Sequence, residues 1–104
     1  MTMKILNIND ITEKIKRKAL FTESTMDSGI LFYEPGETMV PHKHSDLDEI
    51  FYVISGKGLI TINGKDFSIK ENDVMLSPHE ESHGFTNNRD EKLVILQIKN
   101  TIMK

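Results

Sequence analysis

The sequence contains no cysteine among its 104 residues. Without thiols the chain forms no disulfide, offers no thiolate to a metal and carries no cysteine nucleophile, which suits a reducing compartment. Long apolar runs are also missing. The apolar stretch 3–8 is too short for a signal-peptide core, and no segment approaches the length that spans a membrane. We therefore expect a cytoplasmic domain with no membrane partner.

An excess of positive charge is absent as well. The chain has 13 Lys and Arg against 16 Asp and Glu, a formal net charge of −3. This balance argues against a nucleic-acid partner. One basic cluster lies near the N-terminus and consists of Lys14, Lys16, Arg17 and Lys18. We interpret this cluster as a solvated face, with phosphate binding as the weaker alternative.

What the sequence does contain is a series of short apolar segments separated by turn residues. Asn63-Gly64 is a strong two-residue hairpin signal, and Pro35-Gly36 suits the centre of a type II turn. Short strands at regular spacing are typical of an antiparallel sandwich or barrel. We expect strands at 30–34, 48–54, 58–62, 65–70, 73–77, 83–87 and 92–99.

One helical segment is predicted ahead of these strands. Asn9 or Asp10 is a candidate cap for a short helix running through Ile11, Ile15 and Lys18, with both isoleucines on one face. A chain of this length has room for a single core. We therefore divide it into an N-terminal segment, 1–27, that packs on or swaps across the barrel, and the barrel itself, 28–104.

Four side chains are candidate ligands for one divalent metal: His42, His44, Glu49 and His83. If residues 40–44 are extended, both of the first two histidines point to one face, shared with Thr38 and Val40. A hairpin would bring Glu49, which opens the next apolar run, beside them. Three neutral imidazoles and one carboxylate suit Fe, Mn, Zn, Ni, Co or Cu, and suit Ca or Mg poorly.

These residues also carry a family resemblance. Residues 36–56 contain Gly36, His42, His44, Glu49 and Gly56 at spacings that resemble the first motif of the cupin superfamily. A second motif runs from Asn72 and Asp73 through Pro78 and His83 to Asn87. The resemblance, to a small single-domain cupin, implies an all-β jelly roll, or double-stranded β-helix. It also implies that His42, His44, Glu49 and His83 are the metal ligands.

The second motif departs from the family pattern at two glycine positions, now Asn72 and Glu80. Asparagine tolerates the left-handed backbone region, so Asn72 is an acceptable turn residue. Glu80 would carry strain if its φ is positive. We expect the departure to affect the 78–82 loop and not His83.

The residues around the candidate ligands allow several interpretations. His79 is expected at the rim, and Phe51 and Val53 are either pocket walls or ordinary core residues. Tyr33 and Tyr52 are the remaining acid–base candidates, provided that they face the pocket. The acids of the nearby loops are either plain solvent-facing residues or an acidic pocket mouth: Asp46, Asp48, Glu80 and Glu81.

The segments 50–54 and 93–96 are apolar on both faces, so the second face needs a cover. A partner subunit is the favoured cover, and the N-terminal segment of the same chain is the alternative. The family resemblance implies a homodimer too, because small single-domain cupins are commonly dimeric.

Our functional hypothesis is a metal-dependent enzyme, of dioxygenase or isomerase type, acting on a small oxygen-rich molecule. The alternative is a non-catalytic metal-containing module that binds or senses a small ligand, and fold analogy does not choose between them. A third interpretation leaves the histidines without metal. No residue is assigned a catalytic role.

Overall fold

The computed structural model describes residues 3–11 and 16–102. Nine strands account for most of these residues: β1 (Arg17–Glu23), β2 (Met26–Tyr33), β3 (Thr38–His42), β4 (Leu47–Ser55), β5 (Lys57–Ile62), β6 (Lys65–Lys70), β7 (Val74–Ser77), β8 (His83–Thr86) and β9 (Leu93–Thr101). The seven predicted strands all form, and β1 and β3 are two further strands.

The strands form two antiparallel sheets that lie face to face. The five-stranded sheet has the order β1-β2-β9-β4-β7, and the four-stranded sheet has the order β3-β8-β5-β6. Every strand pair is antiparallel. The expected all-β jelly roll is therefore confirmed.

Alternate side chains of both sheets meet in one core. From β4, Phe51 and Val53 are fully buried and contact Ile60 and Phe85 of the four-stranded sheet as part of a single apolar cluster. Period-2 alternation places Glu49 on the same inward face as these two core residues. The carboxylate of Glu49 therefore lies at the end of a row of inward-facing side chains that is otherwise apolar.

Two turns follow the sequence closely. Asn63 and Gly64 both have positive φ, 47° and 83°, as a type I′ hairpin between β5 and β6 requires. The turn before β3 has Gly36 at φ 86°, and the amide of Glu37 donates to the carbonyl of Glu34 at 3.0 Å. Both turn predictions are confirmed.

The predicted N-terminal helix is wrong. Among the described residues of this segment, 3–11 and 16–18, a single turn of 3-10 helix forms at Ile8–Asp10, and the side chain of Asn7 caps it by accepting from the amide of Asn9. Lys18 lies in β1, where it pairs with Ile30 of β2. Sheet pairing has overridden a weak local helical preference. Ile15 lies outside the described residues.

No helix within residues 3–11 and 16–102 is both long and apolar enough to cross a membrane.

Candidate metal centre

A β-bulge in β3 sets the direction of the His42 side chain. Met39 pairs with Phe85 and His42 pairs with His83, so residues 40 and 41 together face Gly84. The extra residue changes the alternation of β3. His42 therefore shares its face with Met39, and the expectation that it shares a face with Thr38 and Val40 is wrong; Val40 is instead strongly exposed.

Gly84 allows this bulge because it carries no side chain. A Cβ at Gly84 would lie 2.5 Å from the carbonyl oxygen of Met39 and 2.9 Å from the nitrogen of Pro41. Such contacts are backbone clashes that no rotamer change relieves. Pro41 is tolerated because β3 is an edge strand. The sequence thus brings β3 close enough to β8 for His42 to stand beside His83.

Glu49 meets two of the histidines through a single carboxylate oxygen. Its Oε1 lies 3.4 Å from Nε2 of His44 and 3.6 Å from Nε2 of His83. His44 follows β3 in the loop to β4, and this loop is tied to the second motif because the amide of Glu80 donates to the carbonyl of His44. The two motifs therefore contribute to one site.

His42 completes the group through ring contacts. Its ring centroid lies 4.9 Å from that of His44 and 4.8 Å from that of His83. Its Nδ1 lies 3.2 Å from the carbonyl oxygen of Val40. An oxygen at that position accepts from a protonated Nδ1, which leaves Nε2 with a lone pair. The structure therefore brings all four candidate ligands together.

The buried imidazole of His83 has one nitrogen bonded and the other unsatisfied. Its Nδ1 lies 2.8 Å from Oγ of Ser77, while Nε2 has no hydrogen-bond partner. Burial lowers the pKa of His83 below its ordinary value; His42 and His44 act in the same direction, and Glu49 opposes them. The neutral ring is favoured, and neutral imidazole is the form that binds metals.

The second oxygen of Glu49 has its own partner. Gln97 of β9 is buried, and its Nε2 donates to Oε2 of Glu49 at 2.9 Å. Neither Gln97 nor Ser77 was predicted from the sequence. Gln97 did carry a signal, because it is the one polar residue within the apolar stretch 93–98. A polar side chain in a strand that is buried on its inner face needs a hydrogen-bonding partner there.

Within the described part of the chain, no group of three or more His, Asp or Glu side chains is already closed into a metal-binding arrangement. The donor chemistry fits a metal nonetheless. Two ligands bound at about 2.1 Å lie about 3.0 to 3.4 Å apart, according to the angle between them. The distances from Glu49 to His44 and His83, 3.4 and 3.6 Å, are close to that spacing.

The charges around the site are partly paired. Asp48 accepts from both the amide and Nδ1 of His79, at 2.9 and 3.0 Å, and these hydrogen bonds hold the pKa of Asp48 below its usual value. Glu80 lies 3.9 Å from Nζ of Lys43. These pairings reduce the negative charge that an acidic mouth would need.

Neither tyrosine offers a base to the site. Tyr33 is part of the core, and burial raises the pKa of its hydroxyl above the ordinary value. Tyr52 lies on the opposite face of β4 from Glu49 and Phe51 by alternation, and it donates its hydroxyl to Asn72. Phe51 and Val53 are core residues.

Comparison with known proteins gives one family. The model of the cupin domain matches residues 29–99. An oxalate-binding protein of Thermotoga maritima is 38% identical over 64 residues, which cover 62% of this chain and 53% of that protein. An acireductone dioxygenase of Bacillus licheniformis is 31% identical over 96 residues, 88% of this chain and 54% of that protein. The chain spans about half the length of both relatives.

Solved structures agree on the fold. A Klebsiella pneumoniae protein with a double-stranded β-helix domain superposes with a TM-score of 0.86, covering 99% of this chain and 100% of that one at 16% identity. KdgF from Halomonas superposes with a TM-score of 0.73, covering 81% of this chain and 76% of that one at 24% identity. These likenesses concern the architecture alone.

Proposed function

Because the chain belongs to the cupin family, we propose that it binds one divalent transition metal ion through His42, His44, Glu49 and His83. The observation that carries the proposal is the unsatisfied Nε2 of His83, buried and directed at the same Glu49 oxygen as His44. In the tautomer whose Nδ1–H donates to Oγ of Ser77, Nε2 of His83 carries a lone pair. A lone pair that faces a carboxylate oxygen in a buried site is repulsive. A cation between them removes this repulsion and satisfies both groups.

We propose further that the protein is a metal-dependent enzyme, of dioxygenase or isomerase type, that converts a small oxygen-rich molecule. A divalent ion held by these four residues would stabilise negative charge on the oxygens of a bound molecule. The chain's own residues hold the site: Gln97 fixes one Glu49 oxygen, Ser77 orients His83, and the Phe51 and Phe85 rings close its inner side. The acireductone dioxygenase relative supports this choice.

A second candidate is a metal-containing module that captures a small ligand without turnover. The relative named as an oxalate-binding protein favours it. The positions of the tyrosines favour it as well, because Tyr33 is buried in the core and Tyr52 faces away from the site. A bound ligand would then be held by the metal and the surrounding side chains, with no proton transfer from either phenol.

We also propose that the chain forms a homodimer through the outer face of the five-stranded sheet. Ile50, Val74 and Leu76 are 45%, 66% and 63% exposed on this face. The register places Ile50 opposite Leu76 and Tyr52 opposite Val74. These side chains lie on β4 and on the edge strand β7. An exposed apolar patch of neighbouring side chains is typical of a subunit interface.

Metal content tests the site. The full chain is purified without chelators or nickel resin, and its metals are measured by elemental analysis beside His42→Ala and His79→Ala. Both histidines are exposed, so neither substitution threatens the core. We expect about one equivalent per chain in the wild type and in His79→Ala, and roughly a tenth or less in His42→Ala. Equal metal content in all three proteins would contradict the proposed ligands.

A ligand panel separates the enzyme from the binding module. Metal-loaded protein is incubated with diketones, hydroxy-acids, sugars and oxalate, with and without O₂, and thermal shifts are compared with product formation. Conversion that depends on the metal supports the enzyme. Thermal stabilisation by a compound that is recovered unchanged supports the binding module.

A further inference from the structure

Two consecutive hydrogen bonds, the first partly buried and the second buried, run from β1 to the candidate site. Nε of Arg17 donates to Oε1 of Gln97 at 2.9 Å, and Nε2 of Gln97 donates to Oε2 of Glu49 at 2.9 Å. Gln97 is 5% exposed and Glu49 is 2% exposed. Arg17 therefore reaches the carboxylate through a single side chain, although it lies 32 positions from Glu49 in the sequence.

The chemistry of arginine fixes the direction of these two hydrogen bonds. A guanidinium group carries only donors, so the Gln97 amide must turn its oxygen toward Arg17. The NH₂ group of that amide then has to face Glu49. If the amide were flipped, two donors would face each other at one end and two oxygens at the other. Arg17 thereby sets which end of Gln97 the carboxylate meets.

The structure makes room for the guanidinium at Gly29. A Cβ at Gly29 would lie 2.6 Å from a terminal nitrogen of Arg17 and 2.7 Å from the guanidinium carbon. Gly29 pairs with Gln97 across β2 and β9, so the guanidinium lies over the strand next to its hydrogen-bond partner. Asp27 holds the other side, with Oδ2 3.4 Å from a terminal nitrogen of Arg17.

We propose that Arg17 is a positioning residue for Glu49. It holds the amide of Gln97 so that Oε2 of Glu49 is bonded and Oε1 is left directed at His44 and His83. The inference rests on the proposed metal site for its purpose, and on the observed hydrogen bonds for its mechanism. Arg17 belongs to the basic N-terminal cluster, whose composition alone indicates a solvated face, and this role places it in support of the site.

Metal affinity is the first readout. The full chain is stripped of metal and titrated with Co²⁺, whose visible absorption reports coordination geometry. We expect Arg17→Met to weaken Co²⁺ binding about tenfold and to alter the absorption bands, since partners behind a ligand contribute about 10- to 100-fold to affinity. Gly29→Ala should act in the same way, because its methyl displaces the guanidinium. In an Arg17→Met background it should add nothing.

Lys18→Met is the matched control. It removes one positive charge from the neighbouring position of β1, on the opposite face of the strand, while the hydrogen bond from Arg17 to Gln97 stays in place. We expect its Co²⁺ affinity and spectrum to equal those of the wild type. An equal loss of affinity in Lys18→Met would show a general charge effect and overturn the proposal.

The second readout does not need the metal. The side-chain amide protons of Gln97 are followed by NMR in the metal-free protein, where we expect slow exchange in the wild type and fast exchange in Arg17→Met. If the wild type binds no Co²⁺ but the Gln97 amide depends on Arg17, the proposed metal site fails and the positioning of the amide is upheld. Slow exchange in folded Arg17→Met, or unchanged Co²⁺ affinity in that variant, would overturn the inference.

Discussion

Glu80 occupies a backbone conformation that glycine adopts more readily. Its φ is 69°, and its amide donates to the carbonyl of His44, which joins the 78–82 loop to the first histidine pair. The strain anticipated from the family pattern is therefore present. The loop keeps this conformation because the hydrogen bond to His44 and the turn at Pro78 hold it.

We predict that Glu80→Gly is more stable than Glu80→Ala by about 1 kcal/mol, because a Cβ at positive φ costs about that much. Both variants lose the exposed contact with Lys43, so their difference isolates the backbone. Urea unfolding of the two variants measures this difference in the free energy of unfolding. Equal midpoints and slopes would mean that the φ of residue 80 is not strained.

Individual residues differ in how far the sequence reveals them. Asn72 and Glu80 could be predicted because each stands at a position where the motif has glycine, and both have positive φ. Arg17 could not be predicted, because a basic residue among lysines has the composition of a solvated surface. Its role depends on Gly29 and Gln97, which become its neighbours only after β1, β2 and β9 pair.

At the scale of strands, the bulge in β3 explains the largest departure from the sequence expectation. The pattern His-x-His predicts a regular strand with alternate side chains on one face. Close approach at Gly84 instead inserts an extra residue between Met39 and His42. The sequence shows the glycine and the proline, but the register that makes them meet is a long-range property.

The outer face of the five-stranded sheet gives a prediction at this scale. We expect the wild type to show twice the mass of one chain in size-exclusion chromatography with light scattering, and Leu76→Glu to shift it to the monomer. A buried, unpaired charge at the centre of the interface is strongly unfavourable. Val40→Glu is the control, because Val40 is exposed on the other sheet.

Wild-type protein with the mass of a single chain at all concentrations would contradict the dimer. So would a dimer that persists unchanged in Leu76→Glu. A loss of the dimer in both variants would point to general destabilisation, which circular dichroism of the monomeric fractions would reveal as a loss of strand structure.

For the whole molecule, turns and alternation are local signals, and they predicted an antiparallel sandwich or barrel; the family resemblance implied the jelly roll. Asn63-Gly64, Pro35-Gly36 and the apolar runs define strands that pair in the jelly-roll order. The gathering of the four candidate ligands was predictable from the motif spacing. The residues that hydrogen-bond behind these ligands, Ser77, Gln97 and Arg17, could not be predicted, because they come from three further strands with no common spacing.

The central claim is that His42, His44, Glu49 and His83 surround one cation. X-ray diffraction from crystals grown with Co²⁺ or Zn²⁺, recorded at the absorption edge of the metal, tests it most directly. We predict one strong anomalous peak per chain, within about 2.0 to 2.2 Å of a nitrogen from each histidine and an oxygen of Glu49. A peak at any other place, or density that leaves Nε2 of His83 without the metal, would contradict the account.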